Sequence, residues 1–344
     1  MELFIFFIGS LLLFFYSKYY CFKKNFLLDK KIQPHKSFAS NDLVPLVGGV
    51  LIIPSLFFFY DKIFVIFYIL LFTLGIFSDL NLITSPLKKI IIQTVIVVLF
   101  LIFSKLSIIS TKIFFIDFLI KNSFFSIIFT AFCILIVING SNFLDGINTL
   151  VVGYYICITL IISYLTIYHQ INYNLNFFSY LICSLLIIFV FNFFSKIYLG
   201  DSGVFLLGLI MSAELILLSN SNLNPNKFIS PIFIVLLLWY PAFENLFSII
   251  RKNLNNIGPG YPDNRHLHQL IFLIVKKKII NKTYANSITG VLINFYNLIV
   301  FLIGVRFISN STYLSFLLVI NIVVYILFYY FCKKIINSKH IINS

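Results

Sequence analysis

Residues 123–167 read SFFSIIFTAFCILIVINGSNFLDGINTLVVGYYICITLIISYLTI, which is two long apolar runs joined by a short polar segment. Each run is close to the roughly 20 residues that a helix needs to cross a bilayer. The joining segment, residues 139–150, carries Asn139, Asn142 and Asp145. An ionised side chain at membrane depth costs several kcal/mol unless it is paired, hydrated or bound to a metal. The stretch therefore predicts two membrane helices joined by a functional polar turn.

The same alternation runs through the whole chain. Of its 344 residues 60% are hydrophobic and only 10% are charged, a composition typical of integral membrane proteins. We predict an all-α, polytopic protein forming a single transmembrane domain over 1–344, with a retained first span. A re-entrant or surface helix is expected between Ser107 and Lys121. The eleven predicted spans are 3–16, 44–60, 63–77, 90–104, 123–138, 150–167, 177–194, 204–218, 231–249, 288–305 and 312–332.

The net charge of +14 is unevenly distributed along this pattern. With eleven spans, nineteen of the 25 Lys and Arg residues lie on one side of the membrane and six on the other. The positive-inside rule then places the N-terminus outside and the C-terminus in the cytoplasm. The distribution argues against nucleic acid as a partner and suits an anionic lipid or an anionic substrate.

Four aspartates stand in polar segments on the predicted cytoplasmic side, in a chain with only eleven acidic residues. They are Asp79, Asp145, Asp201 and Asp263. The arrangement indicates an active site at a membrane surface. The five cysteines lack the spacing of a metal site and are interpreted as small core residues.

The first two polar segments carry proline, glycine and lysine. PLVGG at 45–49 suits a backbone that turns tightly or approaches a ligand, and its alternative interpretation is a plain loop-to-helix junction. SDL at 78–80 is followed by SPLKK at 85–89, where Ser85 is expected to cap a helix that has Pro86 in its first turn. A salt-bridged anchor between acid and lysines is the alternative.

The next two segments carry amides and carboxylates. Asn139, Asn142 and Asp145 recur every three residues and share a face if they are helical, which predicts a binding surface or, alternatively, a polar contact between helices. In GDSG at 200–203, Asp201 stands at the start of a span. It fits a Mg²⁺ site of one carboxylate completed by phosphates and water, and a helix N-cap is the alternative.

The fifth segment, GPGYPDNRHLH at 258–268, combines a guanidinium with two imidazoles. Arg265, His266 and His268 suit phosphate recognition, because arginine binds two oxygens at once. Zinc binding is the alternative, although a lone His-x-His is a weak signal. Residues 268–280 are expected to form an interfacial helix, and Glu244 is a further acid on the same side.

Taken together, the five segments resemble the motifs of the polyprenyl-phosphate N-acetylhexosamine-1-phosphate transferase family, in order, from Pro45 to His268. That family includes the enzymes that initiate O-antigen, enterobacterial common antigen and teichoic acid linkage units, and phospho-MurNAc-pentapeptide translocase. The matching positions are Pro45, Gly48, Gly49, Gly75, Asp79, Ser85, Pro86, Lys88, Lys89, Asn139, Asn142, Asp145, Gly146, Gly200, Asp201, Ser202, Gly203, Arg265, His266 and His268.

Three positions depart from the family pattern. Ser78 stands where the family has the first Asp of a pair, Asn148 where it often has Asp, and Gln269 where it commonly has a further His. The departures indicate a divergent branch. A phosphate monoester has a second pKa near neutrality, so the reaction can do without a dedicated strong base. The replacement of the first Asp by Ser78 is therefore less damaging to the implied mechanism.

The resemblance implies that UDP-N-acetylhexosamine donates its sugar 1-phosphate to polyprenyl phosphate and releases UMP, at the cytoplasmic face of a bacterial inner membrane. It implies Mg²⁺, or Mn²⁺ in its place, held by Asp201, and a homodimer. Asp79, Asp145 and Asp201 would be catalytic. The implied substrate-binding residues are Lys88, Lys89, Asn139, Asn142, Asn148, Arg265, His266 and His268. A secondary transporter and a catalytically altered homologue are the alternatives; against a transporter, polar residues are expected at span ends, not at mid-span.

Overall fold

The computed structural model describes residues 1–29, 43–59, 61–168, 175–220, 229–254 and 265–340, with side chains to residue 337. Asp263 and most of the segment before Arg265 lie outside this part of the chain. The helices are α1 (Glu2–Lys24), α2 (Gly48–Ile52) with a 3₁₀ helix (Ile53–Phe58), α3 (Lys62–Asp79), α4 (Pro86–Ser104), α5 (Phe114–Leu119), α6 (Ser123–Leu144), α7 (Leu150–Tyr168), α8 (Leu175–Phe193), α9 (Gly200–Asn220), α10 (Pro231–Leu237), α11 (Trp239–Leu254), α12 (Leu267–Lys276), α13 (Lys282–Arg306) and α14 (Ser311–His340). The all-α prediction is confirmed.

The helices form a bundle with two distinct ends. The site end holds Asp79, Asp145 and Asp201, at the last residues of α3 and α6 and the first of α9. At the opposite end, the Asn220 side chain that closes α9 donates to the carbonyl of Ser107, just after α4, at 2.7 Å. Within the described ranges, nine helices are long and apolar enough to cross a membrane. The protein is therefore a multi-pass membrane protein.

The second predicted span, 44–60, is shorter than a regular membrane helix. Gly48–Phe58 is helical, and at about 1.5 Å per residue it is too short to cross a hydrocarbon core of about 30 Å alone. It runs from the site end toward the opposite end. The Gly48 N–H bonds the Tyr198 carbonyl beside α9, and Phe58 stacks on Tyr180 of α8.

The ninth predicted span is a broken helix. The axes of α10 and α11 differ by 71°, and Pro241 follows the break by three residues. Proline lacks the N–H that would bond the carbonyl four residues earlier, which is that of Leu237. The Tyr154 hydroxyl donates to this carbonyl at 2.8 Å, so the freed group is satisfied inside the bundle. With this pair counted as one span, up to ten segments of the described chain can cross a membrane, against the eleven predicted.

The stretch between α4 and α6 lies on the opposite end of the bundle. Its short helix α5 leaves Phe114 89% and Phe118 64% exposed, as expected of a surface helix whose rings enter the bilayer interface. Asp117 holds the preceding loop, accepting the Thr111 backbone N–H at 2.6 Å and the Ser110 hydroxyl at 3.0 Å. Of the two predicted forms, the structure has the surface helix.

The central helix is α9, which is buried on almost every side. It packs against α3 and α6, so the start of α9 stands between the ends of both. One residue contradicts the expectation that acids lie only at span ends. Glu214 is buried deep within α9, and the Tyr68 hydroxyl lies 3.5 Å from its carboxylate.

Candidate active site

The last residue of α3 holds the start of α9. The Asp79 carboxylate accepts the backbone N–H of Asp201 at 2.8 Å and that of Ser202 at 3.0 Å. These N–H groups belong to the first turn of α9, where no intrahelical partner exists and the helix dipole favours a negative charge. Asp79 therefore caps α9 from another helix. A helix N-cap was the alternative role for Asp201, but the residue that caps α9 is Asp79.

One carboxylate oxygen of Asp201 accepts two hydrogen bonds. The Lys89 ammonium lies 3.1 Å from Oδ2, and the Ser78 hydroxyl also donates to Oδ2. The Asp201 side chain is 7% exposed and that of Lys89 is 15% exposed. Ser78, the position where the family pattern has an acid, is thus a direct partner of the predicted metal ligand.

Two glycines permit this close arrangement. A Cβ on Gly75 would stand 2.2 Å from the Cα of Ser202, so α3 and α9 touch backbone to backbone at this point. Gly200 has φ +74°, a region that other residues rarely adopt, and a Cβ there would stand 2.7 Å from an Asp79 carboxylate oxygen. Both glycines are therefore points of close contact between α3 and α9.

The residues at the end of α6 are helical, which is the condition under which their spacing places them on one face. Asn139 and Asn142 lie in the last turns, and Asp145 is the residue that ends the helix. The Asn139 amide donates to Gln93 Oε1 of α4 at 3.2 Å and to the Leu135 carbonyl at 2.9 Å. Asn139 thus makes the polar contact between helices that was its alternative interpretation. Asn142 and Asp145 are partly exposed at the site end.

Asn148 is bonded within the protein. Its side-chain amide donates to the hydroxyls of Ser195 at 2.7 Å and Ser287 at 3.3 Å, and its backbone N–H donates to Asn286 at 2.6 Å. These bonds join the turn before α7 to the link after α8 and to α13. A direct contact between Asn148 and substrate stays a prediction. In the structure, its hydrogen bonds hold the turn before α7 in place.

His266 pairs with an acid from a different helix. Its Nδ1 lies 2.8 Å from Glu244 Oε1, and its ring stacks on Phe143 of α6 at 5.3 Å between centroids. Glu244 is completely buried, and the Tyr325 hydroxyl of α14 donates to its other oxygen at 2.6 Å. This carboxylate fixes the orientation of the imidazole, and the tautomer with hydrogen on Nδ1 leaves Nε2 as an acceptor.

The remaining predicted residues differ widely in exposure. His268 is buried against His266, and burial lowers its pKa to about 3 despite the nearby Glu244 carboxylate. Arg265 and Lys88 are exposed at the site end, where they can reach a bound anion. Ser85 caps α4 as predicted, accepting the Lys88 N–H at 3.5 Å.

Residues 62–219 match the family model described as glycosyl transferase family 4. The chain is similar to this family over just under half of its length. A relative, undecaprenyl-phosphate alpha-N-acetylglucosaminyl 1-phosphate transferase of Thermotoga maritima, is 28% identical over 249 residues, which cover 72% of this chain and 74% of the relative. The matched range runs from α3 to α9 and includes Asp79, Lys89, Asp145 and Asp201. Both matches support the family to which the five motifs point.

The chemistry of the donor set fits a divalent cation held jointly by protein and substrate. In the described part of the chain, no group of three or more His, Cys, Asp or Glu side chains could form a complete protein cage. Mg²⁺ is usually bound by one or two carboxylates, with phosphate oxygens and water completing the octahedron. Asp201 supplies such a carboxylate at the site end.

Glu244 and Gln93 stand out in the sequence as polar residues in or beside apolar spans, but neither receives a role there, and Tyr325 does not stand out at all. A signal existed for Glu244, because an acid within an apolar span needs a partner. Tyr325 has no such signal among the 20 tyrosines of the chain. Only the packing of α14 against α11 and α12 singles it out.

Proposed function

We propose that the protein transfers an N-acetylhexosamine 1-phosphate from its UDP-sugar to polyprenyl phosphate, giving a polyprenyl-diphospho-sugar and UMP. This would be the first membrane step in the synthesis of a cell-surface polysaccharide in a bacterial inner membrane. The observation that carries the proposal is the meeting of Asp201 and Lys89 at one end of a membrane bundle, where Lys88 and Arg265 are exposed. Such a group of a carboxylate and cations can hold a divalent cation and phosphates next to a lipid phase.

In the proposed reaction, an oxygen of the lipid phosphate attacks the β-phosphorus of the UDP-sugar. The bond from that phosphorus to the bridging oxygen breaks, and UMP leaves with the electron pair. Mg²⁺ on Asp201 would neutralise diphosphate charge. Phosphoryl transfer depends mainly on such positioning and charge stabilisation. The main energetic obstacle is bringing two anions together, and the cation and the basic side chains would lower it.

The residues divide into groups that contact substrate and groups that support them. Arg265 and Lys88 are exposed cations suited to the diphosphate and to the lipid headgroup. His266 would present Nε2 to the diphosphate or sugar, with Glu244 behind it. Asn142 and Asp145 would position the nucleotide. Asn139, Asn148, His268 and Asp79 are assigned supporting roles on the basis of their burial or internal hydrogen bonds.

The test is UMP release by the purified protein, supplied with Mg²⁺, undecaprenyl phosphate and a panel of UDP-sugars. We expect release with at least one N-acetylhexosamine donor, and its loss in Asp201→Asn. Asp117→Asn is the matched control, since this carboxylate holds a loop at the opposite end. Release with no donor would overturn the transferase, and full activity in Asp201→Asn would overturn the metal assignment.

We also propose that the site end faces the cytoplasm, as the charge distribution predicts. Lys88 at the site end and Lys62 at the opposite end are both exposed. In a cysteine-free background, an impermeant maleimide should label Lys62→Cys in intact cells and Lys88→Cys only after permeabilisation. The reverse pattern would invert the orientation.

A further inference from the structure

The partners of Asp201 bear on how a divalent cation could bind there. One carboxylate oxygen receives both the Lys89 ammonium, at 3.1 Å, and the Ser78 hydroxyl. The pair is largely removed from water, so little solvent screens the interaction. A divalent cation and an ammonium on the same oxygen repel each other, so a cation that binds Asp201 through Oδ2 displaces Lys89 from it.

Displacement is costly unless Lys89 gains another anionic partner. Breaking a buried ion pair leaves an uncompensated charge, which is strongly destabilising. A phosphate group removes this cost, because it accepts the Lys89 ammonium and also offers oxygens to the cation. Ser78 adds a neutral donor to Asp201, whereas an acid at this position would add negative charge and favour the cation by itself.

We propose that Lys89 is an exchangeable counterion of Asp201, so that a divalent cation binds Asp201 tightly only when a phosphate group takes Lys89 over. Ser78 is a positioning residue that holds the Asp201 carboxylate toward Lys89. The inference rests on the proposed metal role of Asp201, and it makes cation and phosphate binding cooperative. The phosphate can belong to the nucleotide or to the lipid, which share this chemistry.

The test is Mn²⁺ binding to the purified full-length protein, followed by electron paramagnetic resonance without turnover. Titrations are made alone, with UDP, and with a short-chain polyprenyl phosphate, and Asp201→Asn corrects for Mn²⁺ bound elsewhere or by the free phosphate. We expect one or both phosphates to tighten Mn²⁺ binding by about tenfold or more, within the usual range of coupling between sites. The ligand that acts identifies the source, and no change with either overturns the proposal.

Substitutions of Lys89 test the exchange separately from the metal role of Asp201. Lys89→Met and Lys89→Gln should bind Mn²⁺ without phosphate about as tightly as the unaltered protein does with it, and Ser78→Asp should shift binding in the same direction. Lys88→Met, which changes the exposed neighbour, should keep the phosphate dependence. If Lys89 variants that elute as a single species bind Mn²⁺ no tighter than the unaltered protein, the proposal is wrong.

These measurements distinguish a failure of the metal role of Asp201 from a failure of the exchange of Lys89. If Asp201→Asn binds Mn²⁺ like the unaltered protein, the metal assignment of the proposed function fails first. If Asp201→Asn loses Mn²⁺ but phosphate has no effect, only the exchange of Lys89 fails. Reciprocity gives a further check, because Mn²⁺ must tighten UDP or lipid phosphate binding by the same factor.

Discussion

The Asp79 carboxylate accepts the backbone N–H of Asp201 at 2.8 Å, although 122 residues separate the two along the chain. The bond ties the last residue of α3 to the first turn of α9, and it aligns the start of α9 with the rest of the site end. An acid that resembles a catalytic group by motif is thus a helix cap by geometry.

Replacement of Asp79 tests this capping role. Asp79→Ala should lower the free energy of unfolding by about 0.5–2 kcal/mol, because two buried N–H groups lose their acceptor. Asp79→Asn keeps an acceptor oxygen and should recover most of that stability, measured by thermal unfolding in detergent. Asp61→Ala is the control, since this exposed cap of α3 at the opposite end bonds Ile63 at 2.8 Å.

UMP release by the same variants separates structure from chemistry. If Asp79 only caps α9, Asp79→Asn retains substantial activity. A stable Asp79→Asn protein without any activity would show that the carboxylate also acts on substrate.

Gly75→Ala tests the contact between α3 and α9. The added methyl group would stand 2.2 Å from the Ser202 Cα, so the helices must separate and the Asp79–Asp201 bond must lengthen. We expect a marked loss of thermal stability and of UMP release. Gly9→Ala on α1 is the control, because a Cβ there meets nothing within 4 Å, and it should be neutral. Equal behaviour of the two variants would contradict the contact.

Tyr325→Phe tests the reach of α14 into the site. The buried Glu244 carboxylate loses one of its donors, which should cost about 1–3 kcal/mol of stability. Tyr313→Phe is the control, since this exposed tyrosine of the same helix stacks on Phe307. Unchanged stability of Tyr325→Phe, relative to the control, would show that the bond contributes little.

Glu244→Gln tests the orientation of His266. The substitution keeps the side-chain volume but removes the charge that faces Nδ1. We expect kcat for UMP release to fall by about 10–100-fold, the range seen where carboxylates orient metal-binding histidines, with a smaller change in KM. A change in KM alone, or in stability alone, would assign Glu244 to packing rather than positioning.

His268 predicts the pH dependence of stability. Burial lowers its pKa in the folded protein to about 3, against about 6.5 in an unfolded chain. The unfolded state therefore binds the extra proton first, so this stability is complete above pH 6.5 and is lost progressively as pH falls toward 3. The expected loss is on the order of 1 kcal/mol per pH unit in the middle of that window.

The measurement is the difference in melting temperature between pH 7.5 and pH 5.5. His268→Gln should reduce that difference, whatever its effect on absolute stability. An unchanged difference would indicate that another group, among Glu244, His266 and Arg251 beside it, governs the pH dependence.

Much of the fold could be predicted because hydropathy is a local property. An apolar run of membrane length has few alternatives to a helix, since backbone groups in lipid must be satisfied within the segment. The exceptions have physical causes. The break at Leu238 depends on the proline in α11 and on a tyrosine from α7, and the predicted span at 44–60 holds only the short helix Gly48–Phe58.

The sequence alone determined the helical, multi-pass membrane fold and the identity of the polar segments that gather at one end, because each follows from short-range composition and spacing. The tertiary structure decided the roles within that gathering. Asp79 is a cap, Ser78 and Lys89 hold Asp201, and Tyr325 reaches Glu244, because hydrogen bonds between helices depend on rotation and depth in the bundle. Those are set by packing across more than 100 residues, which no local pattern records.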